Sequence, residues 1–171
     1  HGIVELALSP LTTLDHRGAT GADPLVGDGA GILTQVPDAF LRAVTGFALP
    51  QAGAYAVGSA FLPADDDERA AVVSALADLA EQEGLRVLGW REVPVTASLV
   101  GAAARACMPH FAQLFVAAAD GGASGVDLGR PGYPFRERGR GDRAGYLSVP
   151  AAPVHCQKRV FKKNCPRRGT N

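Results

Sequence analysis

The sequence predicts a mixed domain, α/β or α+β, on three observations. Residues 55–93 carry a strand, a helix and a strand in succession, and the helix has legible caps at both ends. The chain has 171 residues with 47% apolar side chains, enough for about one domain with its own core. Apolar runs are short, and none approaches the roughly 20 residues that span a bilayer.

Taken in order, the elements have the following grounds. Ile3, Val4, Leu6, Ala7, Leu8, Leu11 and Leu14 form a broad helical stripe interrupted by Pro10, which predicts a helix with a kink or break. Ala30–Val36 follows a glycine-rich turn and holds Ile32, Leu33 and Val36, a short run that reads as a buried strand ended by Pro37. Asp38 is placed to cap a short helix through Ala39–Val44. Tyr55–Leu62, between Gly53 and Pro63, reads as a strand. Asp65 and Glu68 have the spacing of a reciprocal capping box, Val72, Val73, Leu76, Leu79 and Ala80 share one face, and Gly84 stands at the C-cap. Leu85–Val93 resumes as a strand, with Val87, Leu88, Trp90 and Val93 available for burial, and Phe111–Ala118 is a further strand. No internal repeat is visible.

Charge balances overall, with 17 basic and 17 acidic side chains, which excludes a polybasic role for the whole chain. Its distribution is uneven. Residues 1–129 carry 6 basic against 15 acidic side chains and residues 130–171 carry 11 against 2, net charges of −9 and +9. This places a composition boundary near Asp127–Gly132. Beyond it Gly129, Pro131, Gly132, Pro134, Gly139, Gly141 and Gly145 are expected to break any regular element, and residues 130–171 to be weakly ordered. A second boundary falls near Pro150–Pro153. Cys107, Cys156 and Cys165 are too few for a disulfide framework, and the N-terminus lacks the features of a signal peptide, so a reducing, cytoplasmic setting is expected.

The densest candidate for chemistry is His16–Pro24 followed by Gly27–Ile32. As residues alone it reads either as a plain loop or as a cradle for a ligand. Gly27-x-Gly29-x-Gly31 lacks the dinucleotide spacing, no Gly-Lys-Ser/Thr step makes a nucleotide loop, and Asp23 and Asp28 lack the spacing of a calcium loop.

Leu14–Pro24 (LDHRGATGADP) and Gly27–Pro37 (GDGAGILTQVP) resemble the large subunit of glutamate synthase. So do Tyr55–Gly58, Phe61–Pro63, Val87–Pro94, Met108–Phe111 with Gln113, and Phe115–Val116, all in one order. The resemblance covers the chain to about Tyr146. It implies a partial class II glutamine amidotransferase domain over residues 1–148, an α/β/β/α sandwich of the N-terminal-nucleophile hydrolase type. It also implies an activity: glutamine is hydrolysed and its ammonia passes through a tunnel to 2-oxoglutarate for reductive amination in a flavin domain. Arg17 and Gly18 match the pair lying against the nucleophile, Arg17 positioning the catalytic centre and the Gly18 backbone orienting the nucleophile. No cofactor is expected in this chain, while FMN and an iron–sulfur cluster are implied for the complete enzyme. The implied partners are glutamine, the remaining synthase domains and a small subunit, with neither membrane nor nucleic acid.

The family's nucleophile is an N-terminal cysteine whose own amine acts as base. This sequence begins at His1, and the family's Asn-Gly oxyanion pair and substrate-binding acid lie further along than it reaches. The expectation is therefore a fragment of the glutaminase domain, inactive in isolation. Residues 149–171 depart from the family and are expected to be a disordered basic tail of the kind a frameshift produces. The alternative is a non-catalytic module whose tail contacts nucleic acid through Lys158, Arg159, Lys162, Lys163, Arg167 and Arg168. His155, Cys156 and Cys165 are too few for a closed zinc site, and Cys107, in an apolar context, is expected at the core or its edge.

Overall fold

A computed structural model describes residues 2–13, 35–139 and 146–148. They fall into two compact units. The first contains helix α1 (Gly2–Thr13) and residues 96–108, which hold a 3-10 turn (Ala97–Leu99) and the one-turn helix α4 (Ala102–Ala106). Pro10 neither breaks nor ends α1, which continues to Thr13, where the hydroxyl donates to the Ser9 carbonyl at 3.1 Å.

The second unit is built on a four-stranded antiparallel sheet. Its strands are β1 (Ala56–Leu62), β2 (Leu85–Glu92), β3 (His110–Ala118) and β4 (Tyr146–Ser148), in the order β2-β3-β1-β4. Helices α2 (Asp38–Val44), α3 (Asp66–Gln82) and α5 (Val126–Arg138) belong to the same unit. The α+β class holds. Among the described residues there is one sheet, so the sandwich is not seen in them. The expected strand Ala30–Val36 lies outside the described residues up to 34, and Gln35 and Val36 have no regular structure.

Helix α3 forms where its caps place it. The Asp65 carboxylate accepts from the backbone N–H groups of Asp67 and Glu68 at 3.1 and 2.9 Å, and Asp66, Asp67 and Glu68 put negative charge at the positive end of the helix. Among the described contacts the return bond from Glu68 is not made, so the capping box is half closed. Gly84 takes φ +70° after the last turn, a backbone conformation that penalises any side chain, and the strand starts at the next residue. One helical face then meets the sheet. Leu76 and Ala80 join Ala60, Leu62, Leu85, Ala112, Leu114, Val116 and Ala118 in the main core, with Val72, Val73 and Leu79 packed against it.

A bulge in β2 decides what reaches that core. Val87 pairs with Val116 and Gly89 with Phe115, leaving Leu88 as the extra residue. Leu85, Val87 and Trp90 therefore face the helices, whereas Leu88 packs in a second cluster with Leu41, Tyr55, Val57 and Phe115. The Phe47 ring lies over Gly89 so closely that a Cβ there would sit 2.6 Å from a ring carbon, and the same ring meets Phe115 edge-on at 5.3 Å.

Two sequence expectations are overturned. Asp38 does not cap α2. Pro37 holds the cap position without a side-chain bond, and Asp38 is the first helical residue. Its carboxylate instead accepts from Arg42 Nε and from the Tyr55 hydroxyl, each at 2.9 Å, while Arg42 also donates to the carbonyls of Leu49 (2.9 Å) and Pro50. The clamp ties α2 to the start of β1. The second correction concerns the boundary near Asp127–Gly132, where a 13-residue helix runs through Pro131 and Pro134. Leu128, Gly132 and Phe135 recur at i, i+4 and i+7, and all are buried; Leu128 and Phe135 join the main core. Packing of that face outweighs the poor propensities of its glycines and prolines. Arg138 fastens the end of α5 to α3 by donating to Gln82 at 2.9 Å and to Glu83.

Two outcomes follow from this packing. Phe135 is 0% exposed, so Phe135→Ala should cost about 3–5 kcal/mol in urea unfolding, against no change if residues 130–138 were unstructured. The clamp sets a pH window. Arg42 and Tyr55 hold the Asp38 carboxyl below its ordinary value of 3.8, and burial followed by the Asp38 hydrogen bond pushes the Tyr55 phenol up to about 12. A lowered carboxyl stabilises above 3.8 and loses that contribution as pH falls through the folded-state value. A raised phenol contributes in full below 10.0 and loses its contribution between there and about 12, because the unfolded chain releases the proton first. The stability gap between the native chain and Tyr55→Phe should be level at neutral pH and narrow above pH 10.0, as urea midpoints across pH would show.

Candidate functional site

Arg17 and Gly18, the two residues assigned site roles from the sequence, lie outside the described residues. So do His155, Cys156, Cys165 and the six basic residues of the C-terminal stretch. The described residues place other polar groups together, and the sheet determines where.

On the face turned away from α3 and α5, the buried residues Val57 and Phe115 pair in register with each other, and α2, Phe47 and Tyr55 contribute to the same cluster. One step along, β1, β3 and β2 present Ser59, Gln113 and Arg91 as direct register partners. One step further, Phe61 and Phe111 meet edge-on at 5.4 Å. A polar row thus crosses three strands between two apolar rows. Ser148 of β4 occupies the fourth register position of that row, opposite Ser59.

Arg91 is the charged member of the row. Its Nη1 donates to Gln113 Oε1 at 2.9 Å, and its guanidinium lies 5.7 Å from the centroid of the Phe40 ring on α2. Its Nε and Nη2 have no partner among the described residues. Arginine has donors only, so the Gln113 oxygen must face it and the amide nitrogen remains as a second donor.

The remaining polar groups have structural employment. His110 Nε2 contacts the Glu92 carboxylate at 2.8 and 3.0 Å, closing the ends of β3 and β2. Asp38, Arg42 and Tyr55, the described groups with shifted titration, are consumed by the α2 clamp; the Asp38 partnership also raises Arg42 above its already high value. Cys107 is not a core residue. It is exposed at the end of α4, its thiol 3.5 Å from the Ala103 carbonyl, because a five-residue helix has no buried face to offer it. Among the described residues no group of three or more His, Cys, Asp or Glu could hold a metal ion, and no helix is long and apolar enough to cross a membrane.

Sequence reasoning passed over the Arg91–Gln113 pair. Both residues were in plain view within Val87–Pro94 and Phe111–Ala118, but strict alternation from Leu85 and Val87 puts Arg91 on the helix side. Only the bulge moves it to the other face.

Comparison with known proteins supplies what the described residues do not. A family model for class-II glutamine amidotransferases matches residues 1–150. The chain is 40% identical over 139 residues to the glutamate synthase (NADPH) large chain of Bacillus subtilis (strain 168), covering 81% of this chain and 9% of that one. It is 42% identical over 122 residues to the chloroplastic ferredoxin-dependent glutamate synthase 2 of Arabidopsis thaliana, covering 68% and 7%. Against the glutamate synthase (NADH) of Schizosaccharomyces pombe it is 40% identical over 116 residues, covering 66% and 6%. The chain therefore spans less than a tenth of the length of these relatives. With residues 1–150 matched throughout, the chain belongs to the class-II glutamine amidotransferase family.

Proposed function

We propose that residues 1–148 form part of the glutamine-hydrolysing domain of a glutamate synthase, with residues 149–171 a basic tail outside it. Glutamine is the substrate, and the ammonia released is passed on for reductive amination of 2-oxoglutarate to glutamate in the cytoplasm. The observation that carries this reading is the family match over residues 1–150 together with relatives that are named glutamate synthases. Among the described residues the Phe61 and Phe111 rings on the second face of the sheet are partly buried.

Within this reading Arg17 and Gly18 have supporting roles at the catalytic centre. Arg17 holds a guanidinium in fixed position without titrating at neutral pH, and the Gly18 backbone orients the attacking group. Cys107, at the end of α4, is no N-terminal nucleophile and has no part in this reading. The FMN and the iron–sulfur cluster of the complete enzyme reside in its other domains. An iron–sulfur cluster does not fit the described residues, which offer a single thiol. The other synthase domains and a small subunit are the partners. The three relatives are named for NADPH, ferredoxin and NADH, so their names agree on the synthase and differ in the electron donor.

The test is a chimera. Residues 1–150 replace their counterpart in the Bacillus subtilis large chain, and glutamate formation is assayed with glutamine and, separately, with ammonia. Both activities are expected in the chimera. Arg17→Ala should lower the glutamine-dependent rate by about 100-fold, the effect of a misplaced catalytic group, and leave the ammonia-dependent rate unchanged. Equal loss of both rates, or loss of neither, overturns the assignment.

A further inference from the structure

We infer that Arg91, Gln113 and Phe40 form a binding site for a planar carboxylate. The inference stands on the geometry of the sheet face and does not rest on the proposed function. Arg91 is held in place twice, by the hydrogen bond from Nη1 to Gln113 and by the Phe40 ring against its guanidinium. A guanidinium fixed in this way has already lost the rotamer freedom that a surface arginine gives up on binding. It has no ion-pair partner among the described residues, and the hydrogen bond to Gln113 uses neither Nε nor Nη2.

The pattern of donors selects the ligand. The Nε and Nη2 hydrogens point in parallel, and two parallel donors match the two oxygens of a carboxylate. The orientation of Gln113 is forced by Arg91, which leaves the amide nitrogen as a further donor. In the next register position Ser59 is exposed and its hydroxyl has no partner among the described residues. The row is thus rich in donors and carries one positive charge. A phosphate dianion would call for more than that single cation, and the arginine of α2, Arg42, is committed to Asp38. The exposed half of the Phe40 ring, 53% of the residue, gives an apolar wall for the carbon next to a carboxylate. Such a carboxylate belongs either to a small molecule or to an aspartate or glutamate side chain of the same polypeptide.

The experiment follows the Nε–H resonance of Arg91 in the full 171-residue chain labelled with nitrogen-15, the signal being identified by its loss in Arg91→Lys. Sodium acetate is titrated against sodium chloride at matched ionic strength. A saturable shift with acetate and none with chloride is the expected result for a free carboxylate. Arg91→Lys keeps the charge and loses the fork, so acetate should produce no saturable shift of the neighbouring Gln113 side-chain amide. Gln113→Leu, which removes one anchoring hydrogen bond, should weaken acetate about 3- to 10-fold. If a side chain of the polypeptide is the occupant, the resonance is displaced before any acetate is added, ignores acetate, and relaxes as pH is lowered to about 3, below the carboxylate range. A resonance indifferent to both acetate and pH, or moved as far by chloride as by acetate, overturns the inference. The wild-type titration and Gln113→Leu decide the matter even if Arg91→Lys does not fold.

Discussion

Between Val87 and Gly89 the ladder of β2 against β3 carries one residue more than its partner, and every side chain beyond that point changes face. Without the bulge, strict alternation through Leu88 would carry Arg91 with Leu85 and Val87 beneath α3 and α5, a charge in an apolar layer. With it, Trp90 packs under the helices and Arg91 lies beside Gln113 on the opposite face. Next to the bulge the Phe47 ring occupies the volume that a side chain at position 89 would need. The segment from α2 to β1 is thereby packed against the second face.

The two faces of the sheet differ as a result. β3 is sealed on both sides from Leu114 to Val116, with Leu114 and Val116 under the helices and Phe115 under Phe47 and Tyr55. The helix-covered face is continuous and apolar. The other is apolar only where α2 and Phe47 reach, and beyond them it turns to Ser59, Gln113 and Arg91. The clamp of Asp38, Arg42 and Tyr55 matters here because it fixes α2, and α2 carries the Phe40 ring that steadies Arg91.

Much of this was legible in the amino-acid sequence, and the failures have physical causes. Asp65 and Gly84 mark α3 because their signals are local: a carboxylate beside free N–H groups, and a residue tolerant of positive φ. β1, β2 and β3 were legible because apolar residues of strand type lie between turn residues. Helix α5 was missed although Leu128, Gly132 and Phe135 have helical spacing, since Pro131 and Pro134 argue locally against a helix and only the tertiary core argues for one. Asp38 was misread for the converse reason: its sequence position suits a cap, but Tyr55 and Arg42, distant or one turn away, offer its carboxylate stronger partners. Arg17 and Gly18 rest on family resemblance, because nothing in the chemistry of an arginine in a glycine-rich loop separates a catalytic group from a solvated one. The Arg91–Gln113 pair needed the bulge, which leaves no mark in the sequence beyond a glycine within a strand.

The Phe47 ring is seated on Gly89 beside the bulge of β2, and a double-mutant cycle measures that fit directly. Gly89→Ala is made in the native chain and again in Phe47→Ala, and each cost is read from urea unfolding. If the ring and the glycine form one fit, Gly89→Ala should destabilise the native chain by about 1–3 kcal/mol, the usual penalty of overpacking, and should be nearly neutral once the ring is gone. An equal cost in both backgrounds would show that Gly89 is required for some reason other than Phe47, and would contradict the account.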